Sequence, residues 1–526
     1  MIYYYLLNIT IDCISLNGDT VLLFRIRQKG HTMYKIGFDN DKYLKRQSEQ
    51  IKERISKFGG KLYLEFGGKL FDDFHASRVL PGFAPDSKIR MLAELKDQAE
   101  IIIVINATDI EKNKVRGDLG ITYDLDVLRL IDAFRGFGLF VGSVVMTRYE
   151  ASAPVEAFIS KLQSLGIKVY KHYAIKNYPY DIDSIVSDEG YGKNEYIETS
   201  RSLVVMTAPG PGSGKMATCL SQIYHEHKMG IKAGYAKFET FPIWNLPLNN
   251  TLNLSYEAAT ADLNDVNMID PFHLEAYGKT TVNYNRDVEI FPVLRAMFEG
   301  IMGECPYKSP TDMGVNMAGD CIFDDETVRQ AARCEILRRY YNALCNARKG
   351  NNCDTEIKKI KILMKQMGID SSERKCIQAA LDKAEATGAP AAAIELCDGR
   401  VVTGKTSALL GASSAVLINA VKAIAGIDDS INIIAHEILE PVQKLKIENL
   451  GNHNPRLHTD EVLVAMAITA ATSESARQAM EALKKLKGAE LHSSVILSPV
   501  DTATFRKLGI NVTCEPVYQT KKLYHG

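Results

Sequence analysis

Residues 202–226 read SLVVMTAPGPGSGKMATCLSQIYHE, and their order decides the fold. Leu203 to Met206 is an apolar, β-branched run that predicts a buried strand. Thr207-Ala208 ends it, a glycine-proline loop follows from Pro209 to Gly214, and Lys215 opens helical spacing at Met216, Leu220 and Ile223. Strand, glycine loop, lysine and helix make up the arrangement that cradles phosphate. Backbone N–H groups face one concavity there, and the helix N-terminus adds partial positive charge. Gly210, Gly212, Ser213, Gly214 and Lys215 are the expected phosphate-binding residues. The loop departs from the Walker A pattern G-x-x-x-x-G-K-[ST]. Pro209 stands at the first glycine position, with Gly210 one residue late, and Met216 replaces the hydroxyl that would hold Mg²⁺. Thr218 falls on a different helical face. This favours a phosphate or other anion over metal-assisted nucleotide hydrolysis. The alternative is a tight strand-to-helix turn that needs glycine for geometry alone.

Outward from this stretch, the pattern alternates from residue 39 to about 246. Helices are expected at 43–58, 87–98, 125–134 and 155–165, and strands at 62–66, 101–105, 139–146, 167–170 and 232–238. That alternation predicts an α/β fold, a doubly wound, mainly parallel sheet with ligands at the carboxyl ends of its strands. Residues 247–324 are rich in Asn, Asp, Tyr and Pro and read as a long irregular, functional loop region. Residues 325–388 read as a helical insert, with helices at 326–347, 356–367 and 372–386. A second α/β domain follows from 389 to 526. Its strands are expected at 391–396, 431–435, 492–497 and 510–514, and its helices at 413–424, 461–471, 475–486 and 502–508. The expected N-terminal domain is 33–324, with residues 1–32 as an upstream extension. The Lys29-Gly30 codons can spell a ribosome-binding sequence ahead of Met33.

Four polar groups are candidates for chemistry. Residues 401–415, VVTGKTSALLGASSA, offer Lys405, Ser413 and Ser414 at a helix start as a second anion site; the alternative is an ordinary N-cap. Residues 454–461, NPRLHTDE, pack Arg456, His458, Asp460 and Glu461 together, with His453 and His492 as further partners, and suit acid–base work. The same residues also read as a helix N-terminus. Glu65-Phe66-Gly67-Gly68-Lys69 ends a strand, and Asp72, Asp73 and His75 follow it. In the irregular region, Asp270, His273, Arg286 and Asp312 are the expected catalytic residues. Several of these four and Asn316 are expected to line one cleft with the 209–215 loop. The chain has no H-E-x-x-H, G-x-S-x-G or C-x-x-C motif, so a zincin, a common serine hydrolase and a thioredoxin-like oxidoreductase are disfavoured, and no metal site is expected.

The 526 residues carry a net charge of −1, and no basic stripe points to nucleic acid. No apolar run is long enough to span a membrane. Ten scattered cysteines fit a reducing, cytoplasmic setting. The expected partner is a small phosphorylated or nucleotide-like ligand, and a homo-oligomer is expected. A ligand-sensing module, or a structural oligomer with mere turns at both glycine loops, are the other readings.

The segments KIGFDNDKYLKRQSEQI, EFGGKLFDDFHASRVLPGF, TAPGPGSGKMATCLSQIYHE, MIDPFHLEAYGKTTVNYNRDVEIFPVL, YKSPTDMGVNMAG, GKTSALLGASSA and NPRLHTDEVL resemble the bacterial uncharacterised protein family 0371. The resemblance runs from Met33 to about Pro516. It implies an N-terminal α/β domain, a helical middle and a C-terminal α/β domain, and it supplies no reaction. Some relatives carry an ATP-dependent peptidase label, which these residues do not support.

Overall fold

The computed structural model describes residues 12–16, 19–23, 35–67, 70–71, 73–116 and 120–520. Gly68, Lys69 and Asp72 lie outside them, as does most of the 1–32 segment, of which one antiparallel backbone hairpin, Asp12–Leu16 with Asp19–Leu23, is described. The described chain divides into two compact units, one from residue 36 to 373 and one from residue 374 onward.

The first unit begins with α1 (Asn40–Lys57), capped by the Asp39 carboxylate, which accepts from Lys42 N at 2.9 Å. Then come β1 (Leu62–Phe66), α2 (Phe74–Val79), α3 (Ser87–Glu94), β2 (Ala99–Asn106), α4 (Tyr123–Gly136), β3 (Phe140–Thr147), α5 (Ala153–Ser164) and β4 (Lys168–Lys171). The decisive stretch folds as read, into β5 (Leu203–Thr207) and α6 (Lys215–Lys228), and leads to β6 (Gly234–Phe238). With β7 (Gly314–Val315), the strands form a seven-stranded parallel sheet in the order β7-β6-β1-β5-β2-β3-β4.

Alternate residues of each strand feed two cores, because successive side chains leave opposite faces. Leu62, Leu64, Phe66, Ile101, Ile103, Leu203 and Val205 pack with residues of α1 to α5. Tyr63, Ile102, Val104, Val204 and Met206 pack with α6 and with a later helix, α9. The chain leaves β1 toward β2 on one face and leaves β5 toward β6 on the other. The direction of winding therefore reverses between the neighbours β1 and β5, which makes their carboxyl ends the switch point of the sheet.

Residues 247–324 are more regular than their composition predicts. They form α7 (Thr251–Ala259), α8 (Pro271–Tyr277), α9 (Asn285–Met302) and α10 (Pro310–Met313) before β7. Helix α9 buries Val288, Phe291, Leu294, Met297 and Ile301 at helical spacing, a stripe masked in the sequence by Pro292 inside the helix and by a polar first turn.

The helices after 324 are divided differently from the sequence expectation. Helices α11 (Asp325–Arg348) and α12 (Asp354–Met367) belong to the first unit, where Val328 and Ala332 join the core beneath the sheet. Helix α13 (Lys375–Thr387) belongs to the second unit. There it packs on β8 (Ala391–Glu395), which pairs with β9 (Val401–Lys405). Next come α14 (Ala412–Ala425), α15 (Thr459–Thr469), α16 (Glu474–Ala482), β10 (Glu490–Ser493), α17 (Pro499–Lys507) and β11 (Asn511–Cys514). The sheet order is β9-β8-β10-β11, mixed rather than parallel. Strand β9 occupies the first five residues of the 401–415 segment, for which no strand is expected. Residues 431–435 are not a strand, although Ile433 and Ile434 are buried in the core as their apolarity demands. Among the described residues, no helix is long and apolar enough to cross a membrane.

Candidate functional site

The loop after β5 sits at the switch point, beside Gly67 at the end of β1. Its shape is set by three glycines with different constraints. A Cβ at Gly210 would lie 2.2 Å from Tyr123 Oη. Gly212 has φ +75° and open space around it, while Gly214, the N-cap of α6, has φ +93° and Thr147 atoms 3.2–3.4 Å from an added Cβ. Thr147, at the end of β3, donates from Oγ1 to Ser213 O at 2.6 Å and pins the loop.

That anchoring leaves a row of donors. The amides of Gly212, Ser213, Gly214, Lys215, Met216 and Ala217 donate to no described group. Ser213 is buried and its Oγ has no hydrogen-bond partner among the described residues. Lys215 is half-buried and pairs with no described carboxylate. The amides of 214–217 are the orphan donors of any helix start; Gly212, Ser213 and the Ser213 hydroxyl lengthen the row, and the α6 dipole reinforces it. Thr218 is not available to a metal, because it is fully buried and its Oγ1 donates to Gly214 O at 3.0 Å.

A charged group not foreseen in the sequence lies on the same face of the sheet. Glu65 on β1 accepts from Tyr235 Oη at 2.7 Å. Lys237 on β6 pairs with Asp287 at 2.6 Å and Glu239 at 2.7 Å. Burial raises the Glu239 carboxyl; Lys237 counters this, and Asp287 and Glu65 add to the rise. For Lys237 burial opposes the charge, but Asp287, Glu239 and Glu65 outweigh it and hold the ammonium. Cys219 on α6 is fully buried. Burial and Glu65 push its thiol up while Lys215 pulls it down, so both charges act on one buried sulfur. These residues are far apart in sequence and share no motif. Only the strand order brings them together.

The structure brings Asp270, His273 and Asp312 together and leaves Arg286 and Asn316 elsewhere. Asp270 is fully buried and caps α8; Oδ1 accepts from His273 N at 3.0 Å, and Oδ2 accepts from Thr311 Oγ1 at 2.6 Å. Asp312 accepts from Tyr277 Oη at 2.8 Å and Lys308 N at 2.9 Å. His273 Nδ1 lies 3.0 Å from Ser309 Oγ and 3.9 Å from Asp312. Hydroxyl and carboxylate share one ring nitrogen, whereas a catalytic relay needs one on each. Ser309 is moreover buried and caps α10. Arg286 pairs with Asp265 at 3.4 Å and is mostly exposed, and Asn316 fastens its own loop through Pro242 O and Ala318 N.

Two more candidate groups have structural partners. Asp73 caps α2 and pairs with Lys88 at 2.6 Å. His75 lies 3.3 Å from Glu335, which also takes Arg78 and Arg338 at 2.8 Å and Arg339 at 3.0 Å. In the second unit, Lys405 is exposed, and Ser414 donates to Leu457 O at 2.8 Å. Among the described residues, no group of His, Cys, Asp and Glu has the arrangement of a metal site.

Two family models cover this chain: residues 36–368 match "Domain of unknown function DUF1846, N-terminal" and residues 372–524 match its C-terminal counterpart. Their junction falls beside the boundary between the two compact units. The chain is 58% identical over 492 residues to a UPF0371 protein of Streptococcus thermophilus strain LMD-9, covering 94% of this chain and all of that protein. The UPF0371 protein of Streptococcus sanguinis strain SK36 is also 58% identical, and that of Streptococcus pyogenes serotype M3 is 56% identical, with the same coverage.

Proposed function

The chain belongs to the DUF1846 family, and we propose that its first unit binds a phosphorylated or nucleotide-like small molecule at the switch point of the parallel sheet. In this reading the phosphate rests on amides 212–217 and the Ser213 hydroxyl, and Lys215 balances its charge. The observation that carries it is the unpartnered donor row at the head of a 14-residue helix, beside a lysine with no described ionic partner. Acid–base work falls to Glu239 with Lys237 and Asp287, while Asp270, His273 and Asp312 hold the approach to β7. The engagement of Asp270 as a helix cap, and of Asp312 with Tyr277 and the Lys308 amide, favours a second reading, a sensor that binds without turnover.

The test is a thermal-shift screen of sugar phosphates and nucleotides, with and without Mg²⁺, on the wild type and Lys215→Ala. A true ligand at 100 times its Kd adds about 2.7 kcal/mol. Lys215→Ala should lose most of that shift. Equal shifts in both proteins, or none with any phosphorylated compound, overturn the reading. Among binders, Glu239→Gln separates the two roles: an enzyme keeps the shift and loses turnover.

A further inference from the structure

The second unit contains a small cleft unrelated to the glycine loop. It is lined by Thr406, Gly411, Ser413, Arg456, His458 and Asp501, among others, and encloses about 70 Å³. That is room for about two waters at roughly 30 Å³ each, and far below the ~300 Å³ of an ordinary ligand pocket. Whatever fills it is a small group or the end of a larger one.

Its walls are donors. Helix α14, 14 residues long, starts here with Gly411 as a cap that has no side chain to offer. The amides of Ala412, Ser413 and Ser414 donate to no described group. Helices α15 and α17 also begin at this cleft, but their first turns are answered. On α15, Glu461 Oε2 accepts from His458 N at 2.7 Å, and Glu461 N donates to Asp460 Oδ1 at 2.9 Å. Thr459 N donates to Asp501 at 2.9 Å, and Asp501 N to Ser498 Oγ at 3.0 Å. Two hydroxyls at α14 are not answered. Thr406 Oγ1 is buried with no hydrogen bond to a described group. Ser413 is only 4% exposed, its hydroxyl bonds to no described group, and it lies 3.6 Å from where a Cβ on Gly411 would sit, at the mouth of the helix.

Two basic side chains border the cleft. Arg456 is anchored through Nε to Ser407 O at 2.7 Å and has no described carboxylate partner. His458 Nδ1 lies 3.3 Å from Asp501 Oδ2, which leaves Nε2 without a described partner. Asp501 would repel an anion if it were free. Instead its Oδ1 accepts from Thr459 N and Oγ1, and its Oδ2 accepts from Ser498 Oγ at 2.9 Å besides facing His458. Lys446 and Glu461 pair with each other at 2.7 Å.

We propose that this cleft is a second ligand site, one that takes a small oxyanion: inorganic phosphate, or the terminal phosphate or carboxylate of a metabolite. The α14 amides, the Ser413 and Thr406 hydroxyls and His458 hold it, with Arg456 at the entrance. This site stands independently of the glycine loop.

The experiment is calorimetric titration of the full chain with inorganic phosphate, to about 10 mM, tenfold beyond a weak ~1 mM site. Acetate serves as the carboxylate probe. Wild type, Lys215→Ala, Ser413→Ala and His458→Gln are compared. Phosphate binding should persist in Lys215→Ala and weaken about tenfold or more in Ser413→Ala and His458→Gln, each of which removes a hydrogen bond to a charged ligand. Ser413→Asp guards against misfolding as a cause of loss. It places a carboxylate on the free amides, so it should raise Tm while abolishing phosphate binding. No binding of either anion to the wild type, equal affinity in Ser413→Ala and the wild type, or binding lost only with Lys215 overturns the proposal.

Discussion

Gly212 and Gly214 stand two residues apart, and their substitutions should differ. Both have positive φ, which costs any L side chain on the order of 1–3 kcal/mol. Only Gly214 also has Thr147 against its missing Cβ. Gly212→Ala should cost about 1 kcal/mol and Gly214→Ala about 2 kcal/mol or more, read from urea denaturation. His172 gives a pH signature. Burial pushes its imidazole down to about 4, even though its Nε2 lies 3.1 Å from Glu195 O. The folded state keeps it neutral while the unfolded chain protonates near pH 6.5. Its contribution to stability is therefore present above about pH 6.5 and is lost as pH falls toward 4, by about 3 kcal/mol at the limit. Tm measured from pH 7 to 4.5 should fall, and His172→Gln should flatten that fall. The residues that make these effects were visible in the sequence, but their burial was not. A histidine in a polar stretch reads as solvated until a sheet edge covers it.

Among the elements, α11 shows how a helix is fixed by charge. Glu335 on it is fully buried and faces Arg78 from α2, its own-helix neighbours Arg338 and Arg339, and His75. Burial alone would raise its carboxyl, but the three arginines hold it well below the usual range. A depressed carboxylate stabilises the fold above the unfolded value near pH 4.3, and that contribution disappears as pH falls through the folded value. Glu335→Ala leaves the arginines facing each other and should cost about 3–5 kcal/mol in chemical denaturation. Elements with one dominant signal were legible: β1, β2, β3 and β5 coincide with apolar runs, and β4 and β6 overlap the strands expected at 167–170 and 232–238. Helix α9 was not, because Pro292 and a polar first turn hide its stripe. Strand β9 was not, because VVTGK reads equally as a loop and only pairing with β8 makes it a strand.

At the scale of the molecule, the two units have separate cores. In the second unit one cluster gathers around Ile394, Val416, Leu417 and Phe505, while in the first unit two clusters lie on the two faces of the parallel sheet. Units with their own cores unfold as units. Differential scanning calorimetry should resolve two transitions, and a phosphorylated ligand of the glycine loop should raise only one of them. A single transition unaffected by such ligands would contradict both the division and the proposed site.

By itself the sequence determined the α/β class, the strand–loop–helix order at 203–228 and the family, because each follows from local periodicity, from glycine and lysine at fixed offsets, or from long matching segments. Tertiary structure alone decided which polar residues meet. It set Glu65, Lys237, Glu239 and Asp287 on one face at the switch point, and it engaged Asp270 as a helix cap and Asp312 with Tyr277 and the Lys308 amide. Strand order and burial are long-range outcomes of packing, and a carboxylate has the same letter in a cap as in an active site.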